Sequence, residues 1–281
     1  MHIEILNIAL HVVLLGLIYS FVVMGVYLSS RVIKFDDLTT EGSFGLGGAV
    51  TAIMLYSGYS CYLAMPLAVF AGSLAGALTG LLHTKLKMNN LICGLVVTTG
   101  LFSVCLKLAK ANLTLPATSS IFMDISPLYA VAFILLLVII VYQVVRLLLL
   151  SEVGLLLKAL ATNPQMLVNL GKSVHGYKIL GLAIANALIA LSGSLLVQTN
   201  GYFSITGNVG TLVIGLAGLI LAEMIKPAFG MSLIFGAILY QAIFACTIEL
   251  ELEPMWNNLI KAVLIVILIQ IKPRKAFVEA R

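Results

Sequence analysis

The chain has 281 residues, of which 61% are hydrophobic and 10% charged; its mean hydropathy is +1.14 and its formal charge +5. A soluble domain carries about 25% charged residues, and no stretch between the apolar runs is long enough to bury a core of its own, so a soluble fold is excluded. The positive charge is compatible with nucleic acid or anionic lipid, but its spread along the chain points to membrane topology.

The apolar runs are too continuous for a transmembrane barrel, whose strands alternate with period two. Helices are the remaining way to satisfy every backbone amide in lipid. The sequence therefore predicts an all-α polytopic integral membrane protein, a single transmembrane domain over 1–281. About nine apolar segments are expected, at roughly 5–30, 44–57, 60–82, 91–110, 128–150, 179–199, 208–225, 229–248 and 258–271. A full crossing needs about 20 residues, so the second and the last are short. Pro116, Pro127, Pro227, Pro254 and Pro273 fall in gaps or the tail, as expected of a residue disfavoured inside helices.

The first segment is read as a span and not as a cleavable signal. Glu4 and no Lys or Arg precede it, and its apolar run exceeds a signal-peptide core. The next stretch, DLTTEGSFGLGG (Asp37 to Gly48), is polar and glycine-rich and leads into a short apolar segment. That is the look of a broken helix beside a substrate path, because irregular backbone survives at membrane depth only next to protein or a water-filled cavity. Thr40, Glu41, Gly42 and Ser43 are its candidate pathway residues. Glu41 either lines the path or favours a helix N-terminus.

In the third segment Gly72, Gly76 and Gly80 form GxxxGxxxG, a face on which helix backbones approach closely. Cys61, Cys93, Cys105 and Cys246 lie in or beside apolar runs with no CxxC pair, and read as small buried residues. His2, His11, His83 and His175 have no metal-ligand spacing.

Between the fifth and sixth segments, over 151–178, runs a polar loop containing LLKALATNPQMLVNLG. Two short amphipathic pieces meet at Asn163-Pro164, where Asn can cap the second piece and Pro can occupy its first turn. Leu160, Met166, Leu167 and Leu170 remain as apolar knobs. The loop reads either as a coupling element for a groove on a soluble partner or as a surface loop with an incidental helix. Gly171-Lys172-Ser173 resembles the end of a P-loop, but Met166 stands where its first glycine should be, so no nucleotide site is expected.

GYFSITGNVG (Gly201 to Gly210) is a second glycine-rich stretch opening a short run, with Asn208 as its pathway candidate. It is either an ordinary loop or a second broken segment. Gly45 to Gly72 spans 27 residues and Gly210 to Gly236 spans 26, a hint of an internal repeat. Glu223 is a second acid near membrane depth, either on the pathway or in a snorkelling ion pair with Lys226.

Nine crossings put the termini on opposite sides. With the tail cytoplasmic, Arg31, Lys34, Lys85, Lys87, Arg146, Lys158, Lys172, Lys178, Lys226, Lys272, Arg274, Lys275 and Arg281 lie inside, and only Lys107, Lys110 and Lys261 outside. The positive-inside rule selects this orientation, N-terminus outside and C-terminus cytoplasmic, with Glu249, Glu251 and Glu253 facing out.

The stretch from Lys158 to Leu196, KALATNPQMLVNLGKSVHGYKILGLAIANALIALSGSLL, resembles permease subunits of ATP-binding-cassette importers of the branched-chain amino-acid and ribose type. Ala161, Asn163, Pro164, Leu170, Gly171, Gly193 and Leu195 carry the resemblance. DLTTEGSFGLGGA and GTLVIGLAGLILAEMI are similar to the single-permease systems that pair with a binding lipoprotein, some tied to aromatic amino acids. The resemblance implies a permease dimer in the inner membrane, with two cytoplasmic ATPases that bind the ATP and an extracytoplasmic binding protein. This chain would bind no cofactor and would be no enzyme. The loop residues Leu160, Ala161, Thr162, Asn163, Pro164, Gln165, Met166, Leu170 and Gly171 would be the coupling element. Ala161-Thr162-Asn163 stands where other importer classes place acid. An ion-coupled secondary transporter using Glu41 or Glu223 is the alternative; it leaves the Asn-Pro loop without a role.

Overall fold

The computed structural model describes residues 2–116, 126–226, 229–248 and 257–271. Pro227, Pro254, the glutamates Glu249, Glu251 and Glu253 that are expected to face outward, and the basic tail after Ile271 lie outside them. The helices in chain order are α1 (His2–Tyr27), α2 (Thr40–Tyr56), α3 (Cys61–Leu86), α4 (Asn90–Ala109), α5 (Pro127–Leu150), α6 (Glu152–Thr162), α7 (Pro164–Asn169), α8 (Val174–Asn200), α9 (Thr211–Ile225), α10 (Ser232–Ile248) and α11 (Asn257–Ile271). Among the described residues six segments are long and apolar enough to cross a bilayer; α10 and α11 are apolar but shorter, and α2 has 17 residues.

Two elements depart from the all-helical expectation. Asn112–Thr114 (β1) and Tyr202–Ser204 (β2) form an antiparallel ribbon, Leu113 opposite Phe203. The glycine-rich stretch after α8 is thus a strand followed by a 3₁₀ turn at Thr206–Asn208. The ribbon marks one end of the bundle and the α6–α7 elbow the other.

α1 and α8 occupy the middle. Residues of α1 from Leu14 to Val26 form the main core with α5, α8, α9 and α10, and Leu17, Ile18, Phe21, Val22 and Met24 are fully buried. In contrast α4 and α5 turn Leu95, Val96, Phe102, Ile140 and Leu147 outward. Such a surface is stable only against hydrocarbon.

α3 lies antiparallel to α8. A Cβ added at Gly72 would meet Asn186 and Ala190, one at Gly76 Leu182, and one at Gly80 Ile179. α8 reciprocates with Gly193, which sits on the Phe44 carbonyl of α2. Small residues on both sides let three backbones pack without side chains between them.

Candidate functional site

The polar stretch after α1 is helical from Thr40 onward, so the expected break is confined to residues 33–39. α1 ends in a π-helical turn, Leu28–Val32, and the chain then runs extended into the bundle. The entering Asp37 starts α2: its Oδ1 accepts the Thr39 N–H at 2.8 Å and its carbonyl accepts the Thr40 hydroxyl at 3.1 Å. The glycines that suggested a loop instead serve packing. Gly42 abuts Thr98 and Leu101 of α4, Gly45 the Asn208 amide, Gly47 Ala190, and Gly48 Val197 and Phe203.

Asp37 is 5% exposed, and its Oδ2 accepts a 2.7 Å bond from Asn186 Nδ2 in the middle of α8. The Thr39 and Thr79 hydroxyls meet at 2.8 Å beside it. Neither Asp37 nor Asn186 was nominated from sequence; the only signal was that Asp37 opens the polar stretch. Removing the donor of a buried hydrogen bond, so that its acceptor is left unsatisfied, costs about 1–3 kcal/mol. Asn186→Leu is therefore expected to lower the thermal unfolding midpoint of the purified protein clearly, while Asn186→Gln recovers part of the loss.

α9 mirrors α2. α2 begins inside the bundle after a chain entering from the elbow end, and α9 begins inside it after a chain entering from the ribbon. Their N-termini meet: Glu41, in the first turn of α2, accepts the Gly210 N–H that caps α9, at 2.9 Å. Gly210 has φ +85°, which a side chain would strain. Two helix N-termini meeting inside the bundle concentrate positive partial charge, which the Glu41 carboxylate offsets.

The other pathway candidates separate. Glu41, Gly42 and Asn208 line a small cavity of about 60 Å³ with Gly45, Thr98 and Phe102. Thr40 and Ser43 are fully buried. Glu223 lies at the far end of α9 in a two-pronged pair with Arg31 of the π turn: Nε bonds Oε1, and Nη2 bonds Oε2 at 3.0 Å. A cavity of about 1080 Å³ lies toward the ribbon, between α1, α8, α10 and α11, and shares Asn208 and Val209 with the small one.

At the elbow, Asn163 caps α7, its side chain accepting the Met166 N–H at 3.3 Å, and Pro164 fills the first helical position. Gly171, at φ +68°, ends the turn, with Lys172 N donating to Leu167 O at 2.8 Å. Leu160 and Leu167 are not the exposed knobs expected. With Leu156 they are buried against Ile33, Phe35 and Leu182, because helical spacing turns them toward the bundle. Thr162, Asn163, Pro164, Gln165, Met166, Val168, Leu170 and Gly171 stay exposed, and Ala161 is half-buried. Glu152 pairs with Lys172 at 3.2 Å, and this hydrogen bond holds the Lys172 ammonium above the ordinary lysine range.

Among the described residues no cluster of His, Cys, Asp and Glu could hold a metal ion. Residues 8–269 match the family model described as branched-chain amino acid transport system / permease component. The chain is 33% identical over 259 residues to the tyrosine transport system permease protein of Clostridioides difficile (strain R20291), covering 89% of this chain and 86% of that protein. It is 32% identical over 212 residues to an uncharacterised protein of Rickettsia prowazekii (strain Madrid E), covering 72% of each. No solved structure matches. A polytopic helical bundle and a sequence match across nearly its whole length lead to one assignment: the chain belongs to the permease family of branched-chain amino acid transport systems, the multi-pass inner-membrane subunits of ABC transporters, which are not themselves enzymes.

Proposed function

We propose that this chain moves an amino acid or a closely related small solute inward by alternating access, as one half of a permease homodimer embedded in lipid. Cytoplasmic ATPases seat on the elbow end and bind the ATP; the chain itself needs no cofactor. An extracytoplasmic binding protein delivers substrate at the ribbon end. The observation that carries the reading is the elbow over 151–178. Leu156, Leu160 and Leu167 fasten it to the bundle, while Met166, Val168 and Leu170 remain exposed for a partner. The similarity to a tyrosine transport system permease supports an amino-acid cargo, aromatic amino acids included.

Charge supports the orientation. Arg31, Lys85, Lys87, Arg146, Lys158, Lys172 and Lys226 belong to the elbow end, and Lys107 and Lys110 to the ribbon end of α4. A cytoplasmic elbow then puts the N-terminus outside and, with nine segments, the C-terminus inside. In this orientation the large cavity faces outward and the Arg31–Glu223 pair closes the cytoplasmic side.

The test is energetic. In vesicles carrying the permease, its ATPase and its binding protein, uptake of L-tyrosine is expected to require ATP inside the ATPase-side compartment. It is expected to persist when a protonophore collapses the proton gradient. Uptake that stops with the gradient while ATP is held constant would instead assign the chain to ion-coupled carriers.

A further inference from the structure

We infer that the ribbon-end cavity is a substrate site for a zwitterionic amino acid with a large apolar or aromatic side chain, whose carboxylate pairs with Lys261 and whose ammonium faces Glu41. The inference rests on the importer reading and adds a recognition step within the permease.

Two opposite charges of the site have no side-chain ion-pair partner among the described residues. Lys261 of α11 lines the large cavity with its ammonium 5.6 Å from the Phe244 ring centre, and among the described residues no carboxylate stands within ion-pairing distance of it. Glu41 lines the adjoining small cavity; one oxygen takes the Gly210 N–H, and the other makes no hydrogen bond among the described residues. Asn208 and Val209 line both cavities, so the two charges stand on either side of a shared wall. They are near enough for Glu41 to exert a Coulombic pull on Lys261, yet they form no direct ion pair. Holding an unpaired ionised group at membrane depth is costly, and such groups mark substrate paths. A neutral sugar offers neither charge its partner. An amino acid offers both at once.

The remaining walls fit the side chain. Tyr19 and Phe44 stack with ring centres 5.9 Å apart and 9° between planes, forming an aromatic surface in the cavity beside Phe244. Gln241, 5% exposed, adds an amide to the same lining. A volume of about 1080 Å³ lies just above the usual range of about 300–1,000 Å³ for small-molecule sites. This is room for an amino acid with its water.

The experiment uses the complete transporter in vesicles, with L-tyrosine and L-phenylalanine as probes, and compares Lys261→Gln with Lys261→Arg. The glutamine variant is expected to lose roughly tenfold in amino acid moved per ATP hydrolysed, while binding-protein-stimulated ATP hydrolysis stays within about twofold of wild type. The arginine variant is expected to transport nearly normally, because its charge is kept. Normal transport by Lys261→Gln would overturn the site, as would equal loss of transport and ATP hydrolysis in both variants, which would make Lys261 structural. Ribose uptake that is insensitive to Lys261→Gln would overturn the substrate class. A wild-type transporter that hydrolyses ATP but accumulates neither amino acid would instead remove the importer reading for amino acids, a failure visible without any variant.

Discussion

Replacing Asn163 and Pro164 together by alanine is expected to leave ATP hydrolysis running and the permease folded, while ATP-driven uptake falls by roughly 5–150-fold, the range of a coupling free energy of about 1–3 kcal/mol. The reason lies in the size of α7. Six residues cannot sustain a helix unaided, and this one is held by the Asn163 cap, by the fixed φ of Pro164 and by the buried Leu167. Loss of an Asn cap costs about 1 kcal/mol, and loss of Pro164 adds chain freedom. The double variant should therefore fray α7 without disturbing α6, whose Leu156 and Leu160 stay anchored. Force applied to an intact elbow has a short route inward. Leu156, Leu160 and Leu167 touch Ile33 and Phe35, and the chain goes on from Phe35 to Asp37, to the start of α2, and to Glu41 against Gly210. A frayed α7 breaks that route at its first step. Paired measurement of ATP hydrolysis and uptake checks this. Normal uptake by the double variant would count against the elbow as the point of coupling.

The elbow was legible because its signals are local. An Asn-Pro pair between amphipathic pieces specifies a cap and a first turn whatever surrounds it. Which leucines face the partner was not legible, since one turn of helix decides between the bundle and the outside, and Leu160 and Leu167 fell inward. The broken segments were half legible. Glycine and polar residues marked both stretches, but glycine density serves close packing as readily as a loop, and α2 is continuous from Thr40. Depth is the quantity that sequence does not carry. Asp37 and Glu41 stand four residues apart, yet one is sealed against Asn186 and the other lines a cavity. The sequence offers Glu223 as a pathway acid or as the ion-pair partner of nearby Lys226; it pairs instead with Arg31, 192 positions away and at the opposite end of α9 from Glu41. Lys261 entered the sequence reading only as a charge counted for topology. Its place in the cavity wall depends on α11 packing beside α9 and α10, a contact no local pattern announces.

Gly76→Leu is expected to abolish assembly of the folded permease, seen as loss of protein from the membrane fraction, whereas Gly76→Ala should yield a destabilised but detectable protein. Overpacking a tight core costs about 1–3 kcal/mol for small additions. At Gly76 even a Cβ would land on the Leu182 carbonyl and within 2.8 Å of the Asn186 Cβ, so the backbones of α3 and α8 would have to part. The neighbouring contacts at Gly72 and Gly80 leave no freedom to pivot, since they press on Asn186, Ala190 and Ile179 of the same helix. Parting α3 from α8 also pulls Asn186 away from Asp37 Oδ2, which would then be buried without that donor. Leucine at position 76 thus adds a lost buried hydrogen bond to the steric clash. A site chosen for comparison is Gly100 on α4, where a Cβ meets nothing within 4 Å. Gly100→Leu should be tolerated, so the contrast between the two separates packing on α8 from any general intolerance of leucine for glycine in these helices. Equal membrane levels for the two leucine variants would show that the α3–α8 contact does not hold the bundle together.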